Sequence, residues 1–456
     1  MKVRLIYPTW ERIYYQTKYI LPPLGVLVVG GLTPEGVEVN LTDENVDTID
    51  FDEKPDLVAI STMLLAQAER AFEIGDEFRA RGIPVDLGGL SVSTLPEEAQ
   101  LHADAICVGE AEGVWPRILE DAQKGQLKKV YSRGPDARFV ESDEIGTPRR
   151  SLLDKPKYNY RGVEMLDLIE TSRGCRFKCY PCQVPMVSGN AHRIKQIDRV
   201  IEEMASIPND RLFIVDNSME QNEQHQEELF QAMIDADLGK MWVAHPISVK
   251  PKILELAARS GCWYVYHAIH KPSDLIRERV KMHHDHGIGV EGTIMVGLDN
   301  HEKDIFKRIT DFLLDIDLDL AEFTVLTPFP GTPVFDDFKK EGRILHEDWR
   351  KYNAEQVVYQ PAKMTPEELQ KGYQYCWEEF YREQPEKQRM FKLFKRLYAK
   401  HEWNPPASDK GEAQFNAKGV HGALWGGVID AAQQKRIEAR RQRRRERAAA
   451  KNVSTG

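Results

Sequence analysis

Residues 167–182 read DLIETSRGCRFKCYPC, and this stretch decides the architecture. Its apolar start is too short for a helix and runs directly into a polar, glycine-containing segment. It reads as a buried strand followed by a loop. The loop carries Cys175, Cys179 and Cys182. Three thiolates at C-x3-C-x2-C spacing can hold three irons of a cubane [4Fe–4S] cluster. The fourth iron then lacks a protein ligand. Electron-transfer clusters use four cysteines, so an open iron implies a ligand or substrate bound there. A structural zinc site wants four ligands. The nearest extra candidate, His192, lies ten residues beyond Cys182. Zinc and chance clustering are the alternatives that the spacing leaves open.

Downstream, residues 166–345 repeat a strand-then-helix rhythm. After LDLIETS come RLFIVDNS, MWVAHPI, CWYVYHAI, VEGTIMVGL and AEFTVLTPF as strands. Segments such as QIDRVIEEMASI and QEELFQAMIDADL carry the 3.6-residue period between them. Six βα units predict a partial (β/α)6 TIM-like barrel with its site at the carboxyl ends of the strands. The cysteine loop falls at such an end.

Upstream, residues 1–125 predict a doubly wound, Rossmann-like α/β domain. VRLIYP, VEVNLTD, DLVAIST, IPVDLGG and AICVGEAE are its five expected parallel strands, with a helix over AQAERAFEIGDEFRARG stopped at Gly82. Ligands of such sheets sit beyond the strand ends. Ser61, Thr62, Gly88, Gly89, Ser91, Gly109 and Glu110 are therefore the candidate contacts. Residues 126–165 read as a linker, and 346–400 as a helical C-terminal region that starts a helix at the capping box Thr365–Glu368. The aromatic face of that helix is expected to pack beside the barrel mouth. Residues 401–456 form a cationic tail, expected to be disordered.

The cysteine segment resembles the signature of the radical S-adenosylmethionine superfamily. DLVAIST, LGGLSVSTLPEEA and ADAICVGEAE resemble the cobalamin-binding domain that precedes the radical core in one large subfamily. The resemblance covers roughly residues 1–400. It implies three cofactors: the [4Fe–4S] cluster on Cys175, Cys179 and Cys182, S-adenosylmethionine chelated by the open iron, and cobalamin. No histidine precedes His102, so the Asp-x-His-x-x-Gly motif that would supply a lower axial ligand to cobalt is missing.

The resemblance also places residues around S-adenosylmethionine. Asp216, Asn217 and Ser218 end the second strand, where the family contacts the methionine amino group. Gly292, Ile294 and Gly297 lie on the strand that runs beside the adenosyl group, where small residues admit the backbone. Arg173, Lys178 and Arg176 would balance the cluster's charge. Two positions depart from the family. Pro181 stands where an aromatic residue usually precedes the last cysteine, with Tyr180 one step earlier. The fourth strand reads YHAIHK in place of a Gly-x-Glu-Ser-like sequence, which makes His270 the candidate catalytic residue, either replacing the carboxylate as a hydrogen-bonding partner or facing substrate as a proton donor near neutral pH.

The chain carries a formal net charge of −10. The stretch 433–451 holds nine Lys or Arg against Glu438 and Glu446, so the body is more acidic than the total suggests. An acidic body argues against nucleic acid as a specific partner. The basic tail suits weak contact with an anionic membrane surface. No apolar run reaches the ~18–20 residues that span a bilayer, and six cysteines in 456 residues make no disulfide scaffold. A cytoplasmic protein is expected.

The function implied is a cobalamin-dependent C-methyltransferase that acts on an unactivated carbon through a 5′-deoxyadenosyl radical. The electron would come from a donor of flavodoxin or ferredoxin type. The substrate would be a small molecule, a lipid or a tetrapyrrole. The first rival is an oxidative cyclase or rearrangement enzyme of the anaerobic magnesium-porphyrin ester type. The second is a non-catalytic iron–sulfur or zinc protein.

Overall fold

The structure is a computed structural model that describes residues 1–11, 20–134, 139–160, 163–164, 166–386, 388–389 and 392. The basic tail expected over 401–456 lies outside the described residues.

The N-terminal sheet contains the five expected strands: β1 (Lys2–Tyr7), β2 (Glu38–Asp43), β3 (Leu57–Thr62), β4 (Val85–Gly89) and β5 (Ala105–Cys107). A sixth, β6 (Val130–Tyr131), lies inside the segment read as a linker. All pair in parallel in the order β2-β1-β3-β4-β5-β6. The order reverses between β1 and β3, which is the switch point of a doubly wound sheet. Two apolar layers cover its faces. Ile6, Val58, Ile60, Val85 and Leu87 meet the helix Ala68–Ala80 on one side. Leu5, Ala59, Ala105 and Cys107 meet Trp115 and Ile118 on the other.

The second sheet also has six parallel strands, in sequential order: β7 (Asp167–Ile169), β8 (Arg211–Ile214), β9 (Met241–Ala244), β10 (Cys262–Ala268), β11 (Gly289–Val296) and β12 (Leu320–Val325). Each is followed by a helix on its outer face, which gives the expected partial barrel. Strand alternation sorts the side chains. Leu212, Ile214, Ile294 and Val296 face the helices. Phe213, Met241, Val243, Tyr264 and Tyr266 face the interior.

The segment before the barrel staples the two sheets. Arg149 donates its backbone N–H to Leu27 at 2.8 Å, and Tyr158 donates its hydroxyl to Asp43 at 2.9 Å. Arg150 donates to the Leu168 carbonyl at 2.7 Å and pairs with Glu203. The C-terminal region does the same from the other side. Phe335, Trp349, Tyr352 and Val358 share a core with the N-terminal domain.

The helix Pro366–Phe380 begins at the expected capping box. Its aromatic face packs against the helix Ile305–Asp315 and β12, not beside the barrel mouth. Tyr381 then donates to and accepts from the backbone of Ala321, satisfying the outer edge of β12. Among the described residues no helix is long and apolar enough to cross a membrane.

Candidate functional site

The cysteine loop leaves the carboxyl end of β7 and is held by backbone bonds. Gly174 sits at φ +87, and a Cβ there would lie 2.2 Å from the Ala191 carbonyl, so only glycine fits. Its N–H donates to Asn217 Oδ1 at 3.1 Å. Cys175 N–H donates to the Gly189 carbonyl and Cys182 N–H to the Cys179 carbonyl. Gln221, buried and unflagged by the sequence, accepts from Arg176 N–H at 2.7 Å and donates to the carbonyls of Gly174 and Ser218. Asn217, Ser218 and Gln221 thus shape the loop through its backbone.

Cys175 is buried, Cys182 partly so, and Cys179 exposed. Burial, then the charge of Cys179, pushes the thiols of Cys175 and Cys182 up. The three thiols therefore sense one another. Among the described residues no three His, Cys, Asp or Glu side chains are gathered closely enough to hold one metal ion. A cubane binds each thiolate at a different iron, so its ligands stand farther apart than those sharing a single zinc. The donor set, all sulfur with no fourth ligand, fits the cluster better than zinc.

Asp216 does something other than expected. It is 1% exposed, and its carboxylate accepts from Thr171 N–H, Thr171 Oγ1 and Ser172 Oγ at 2.5–2.7 Å. It fixes the end of β7 under the cysteine loop through these three bonds within the protein. His192 meets Ser172 Oγ at 2.8 Å in the same network, so it is not a fourth metal ligand.

Arg173 likewise turns away from the cysteines. Its guanidinium meets Glu170, Glu112 and Glu110 at 2.9–3.2 Å. Arg176 is the cation whose charge reaches Cys175. Tyr180 is exposed and bonds Asp337 at 2.7 Å, on the helix Pro333–Lys340.

On β11 the expected small residues serve packing. A Cβ on Gly292 would meet Leu318, Ile294 and Ile269 at 2.9–3.1 Å, all in the helix layer. Ile294 is buried in that layer. Gly297, at φ +93, lies under Tyr359 and Leu369. The interior-facing residues of β11 are instead Glu291, Thr293 and Met295.

His270 is exposed beyond the end of β10. The nearby triplet is structural: His283 and His286 bond the carbonyls of Arg279 and Met282, and His284 bonds Asp319.

The N-terminal candidates do come together. Thr62 Oγ1 and Ser91 Oγ are 2.5 Å apart, and Ser91 N–H donates to Thr62 Oγ1. Gly89, at φ +94, passes so close to Thr62 that a Cβ would lie 2.1 Å from its carbonyl. Gly88 lies over Cys107, and Gly109 N–H donates to Ser93 Oγ at 3.0 Å. Ser61 is partly exposed beside them. Gln67, fully buried, ties the loop after β3 to the Pro8 carbonyl across the switch point. Close-packed glycines and small hydroxyls at strand ends make a floor on which a large ligand can lie. His102, the first histidine of the chain, is engaged elsewhere, paired with Asp76 and stacked on Phe72.

Glu110 belongs to the domain junction. It accepts both terminal nitrogens of Arg193 and the Val140 N–H. Burial would raise its pKa, but the hydrogen bond from Arg193 and the charge of Arg173 hold it below the usual glutamate range. The same arginines anchor the ribbon Ser172–Arg173/Arg193–Ile194 that flanks the cysteine loop, so the two ligand-facing ends are coupled in position.

Comparison with known proteins finds the following similarities. Residues 14–119 match the B12 binding domain family, 169–310 the radical SAM superfamily, and 332–424 a domain of unknown function (DUF4070). Bacteriochlorophyllide d C-12(1)-methyltransferase of Chlorobaculum tepidum is 29% identical over 77% of this chain and 80% of its own length. The C-8(2)-methyltransferase of the same organism is 29% identical over 75% of this chain and 81% of its own. Among solved structures, the radical S-adenosylmethionine methyltransferase TsrM of Kitasatospora setae, with cobalamin and a [4Fe-4S] cluster bound, shares the fold. The TM-score is 0.62 at 16% identity, over 98% of this chain and 99% of that one.

Proposed function

This chain belongs to the radical S-adenosylmethionine superfamily, in the subfamily with an N-terminal cobalamin-binding domain, and on that premise we propose that it is a C-methyltransferase acting on an unactivated carbon. It is an enzyme with a [4Fe–4S] cluster, S-adenosylmethionine and cobalamin as cofactors. Together these supply, when bound, an electron, a 5′-deoxyadenosyl radical and a methyl group. Cys175, Cys179 and Cys182 would hold the cluster, and the strand ends at Ser61, Thr62, Gly88, Gly89, Ser91 and Gly109 would carry cobalamin. The rest is positioning.

One observation carries the reading. The cysteine loop and the N-terminal strand ends are locked together by Arg193 and Arg173 bridging to Glu110 and Glu112. Two cofactor sites that serve one reaction would have to be held in fixed register. A buried, multiply bonded junction supplies that rigidity.

For the substrate we propose a tetrapyrrole of the chlorophyllide type. The bacteriochlorophyllide methyltransferases among the relatives favour it, and the stacked rings of Phe213 and Tyr266 inside the barrel offer aromatic contact to a ring system. The test is anaerobic turnover of the reconstituted enzyme with dithionite, methyl-labelled S-adenosylmethionine and bacteriochlorophyllide d. Label carried into the macrocycle, with one 5′-deoxyadenosine per methyl, is expected. Deoxyadenosine together with an oxidised or cyclised, unlabelled product would replace this reading with the cyclase one.

A further inference from the structure

His245 follows β9 at the mouth of the barrel. Met241, Val243 and His245 alternate onto one strand face, and the first two line the interior. The imidazole continues that row at the carboxyl end, where barrel enzymes hold their ligands. It is enclosed by the Phe213 ring at 5.4 Å and the Tyr266 ring at 5.7 Å, which stack on each other at 5.5 Å.

The hydrogen bonding of this histidine fixes its tautomer. Nδ1 lies 2.7 Å from the backbone carbonyl of Asp216. A carbonyl only accepts, so Nδ1 carries the proton and Nε2 carries a lone pair. Among the described residues nothing is bonded to Nε2, and the side chain is only partly buried. Burial lowers the His245 pKa against the opposing pull of Asp216, so the ring is neutral near pH 7.

We propose that His245 is a ligand-contacting residue of the reaction site: its Nε2 accepts a hydrogen bond from an O–H or N–H of a molecule held against Phe213 and Tyr266. The donor is either the amino group or a ribose hydroxyl of S-adenosylmethionine or a polar group of the methyl acceptor. The proposal rests on the methyltransferase reading only for the choice of bacteriochlorophyllide d as the second probe.

Two measurements decide it. Diethylpyrocarbonate acylates neutral, reachable imidazole nitrogens, and peptide mass spectrometry locates the adduct. In the reconstituted holoenzyme without ligand, His245 should be modified at pH 7. Protection by S-adenosylmethionine alone assigns the donor to that cofactor. Protection that requires bacteriochlorophyllide d as well assigns it to the acceptor. Absence of modification overturns the proposal, as does modification that neither probe changes in an enzyme that turns bacteriochlorophyllide d over; where it does not turn over, the variants below, read on S-adenosylmethionine cleavage, decide.

The second measurement separates contact from scaffolding. His245→Asn keeps a donor for the Asp216 carbonyl and removes the atom at Nε2. His245→Gln returns an acceptor near that position. We expect kcat/KM for the ligand that protects to fall roughly tenfold in His245→Asn and to recover most of that loss in His245→Gln. Equal, small effects of both variants would show a structural residue.

Discussion

Glu110 accepts both terminal guanidinium nitrogens of Arg193, at 2.7 and 2.8 Å, across 83 residues of sequence and the boundary between the two sheets. Both side chains are almost fully buried. Removing one partner strands the other as an uncompensated charge, which costs about 3–5 kcal/mol. Arg193→Met should therefore lower the urea unfolding midpoint, by less than a fully stranded charge would, because Arg173 still pairs with Glu110 at 3.2 Å. Adding Glu110→Gln removes the stranded charge and keeps an acceptor for Val140, so the double variant should be more stable than Arg193→Met alone. A double variant that is less stable would mean the pair is not the source of the loss.

Cluster ligation is separable from burial by comparing the six cysteines. Cys107, Cys262 and Cys376 sit apart from one another in three separate apolar cores, away from the loop that gathers Cys175, Cys179 and Cys182. Replacing Cys175, Cys179 or Cys182 by Ser should abolish iron and sulfide uptake on anaerobic reconstitution, along with 5′-deoxyadenosine formation. Replacing Cys262 by Ala should leave iron content unchanged and cost about 1–2 kcal/mol of stability. Iron retained without Cys179, the exposed member, would remove it from the ligand set.

The strands were legible because each is a short apolar run bounded by turn residues, and Gly82 and Thr365 punctuate helices by simple capping rules. The cysteine loop was legible because its spacing is chemical. What sequence could not show is where a polar side chain spends its hydrogen bonds. Asp216 looks like a ligand contact until Thr171 and Ser172 are seen to occupy it. Glu110 looks like a strand-end contact until Arg193, far along the chain, closes on it. His245 could have been found by extending the period-two face of Met241 and Val243 one step past the strand. His270 drew attention because its segment departs from the family pattern, which says nothing about burial.

Gly89 tests the N-terminal floor. Its φ of +94 is strained for any residue with a side chain, and the added methyl would meet the Thr62 carbonyl. Gly89→Ala should cost about 1–3 kcal/mol and push the ends of β3 and β4 apart. Cobalamin retention through gel filtration, read from its visible absorbance, should fall in the variant. Wild-type retention in a chain with an unchanged melting temperature would mean that this approach of backbones has no bearing on the cofactor.

Glu322 faces the barrel interior from β12, and Glu291 lies on the neighbouring strand beside Tyr266. Burial raises the pKa of Glu322, and burial with the charge of Glu322 raises that of Glu291. A carboxyl raised in the folded state contributes its full stability below its ordinary pKa. That contribution is lost as pH climbs toward the folded value. Glu322→Gln cannot ionise and should lack this loss. Its stability relative to wild type should therefore grow between pH 5 and the raised pKa, by at most about 1.4 kcal/mol per pH unit. Melting temperatures taken anaerobically at several pH values measure the slope, and a constant offset between the two proteins introduced by the amide itself does not affect it. Parallel curves would show that Glu322 ionises in the barrel as freely as in water, and the interior would then be wetter than its aromatic lining suggests.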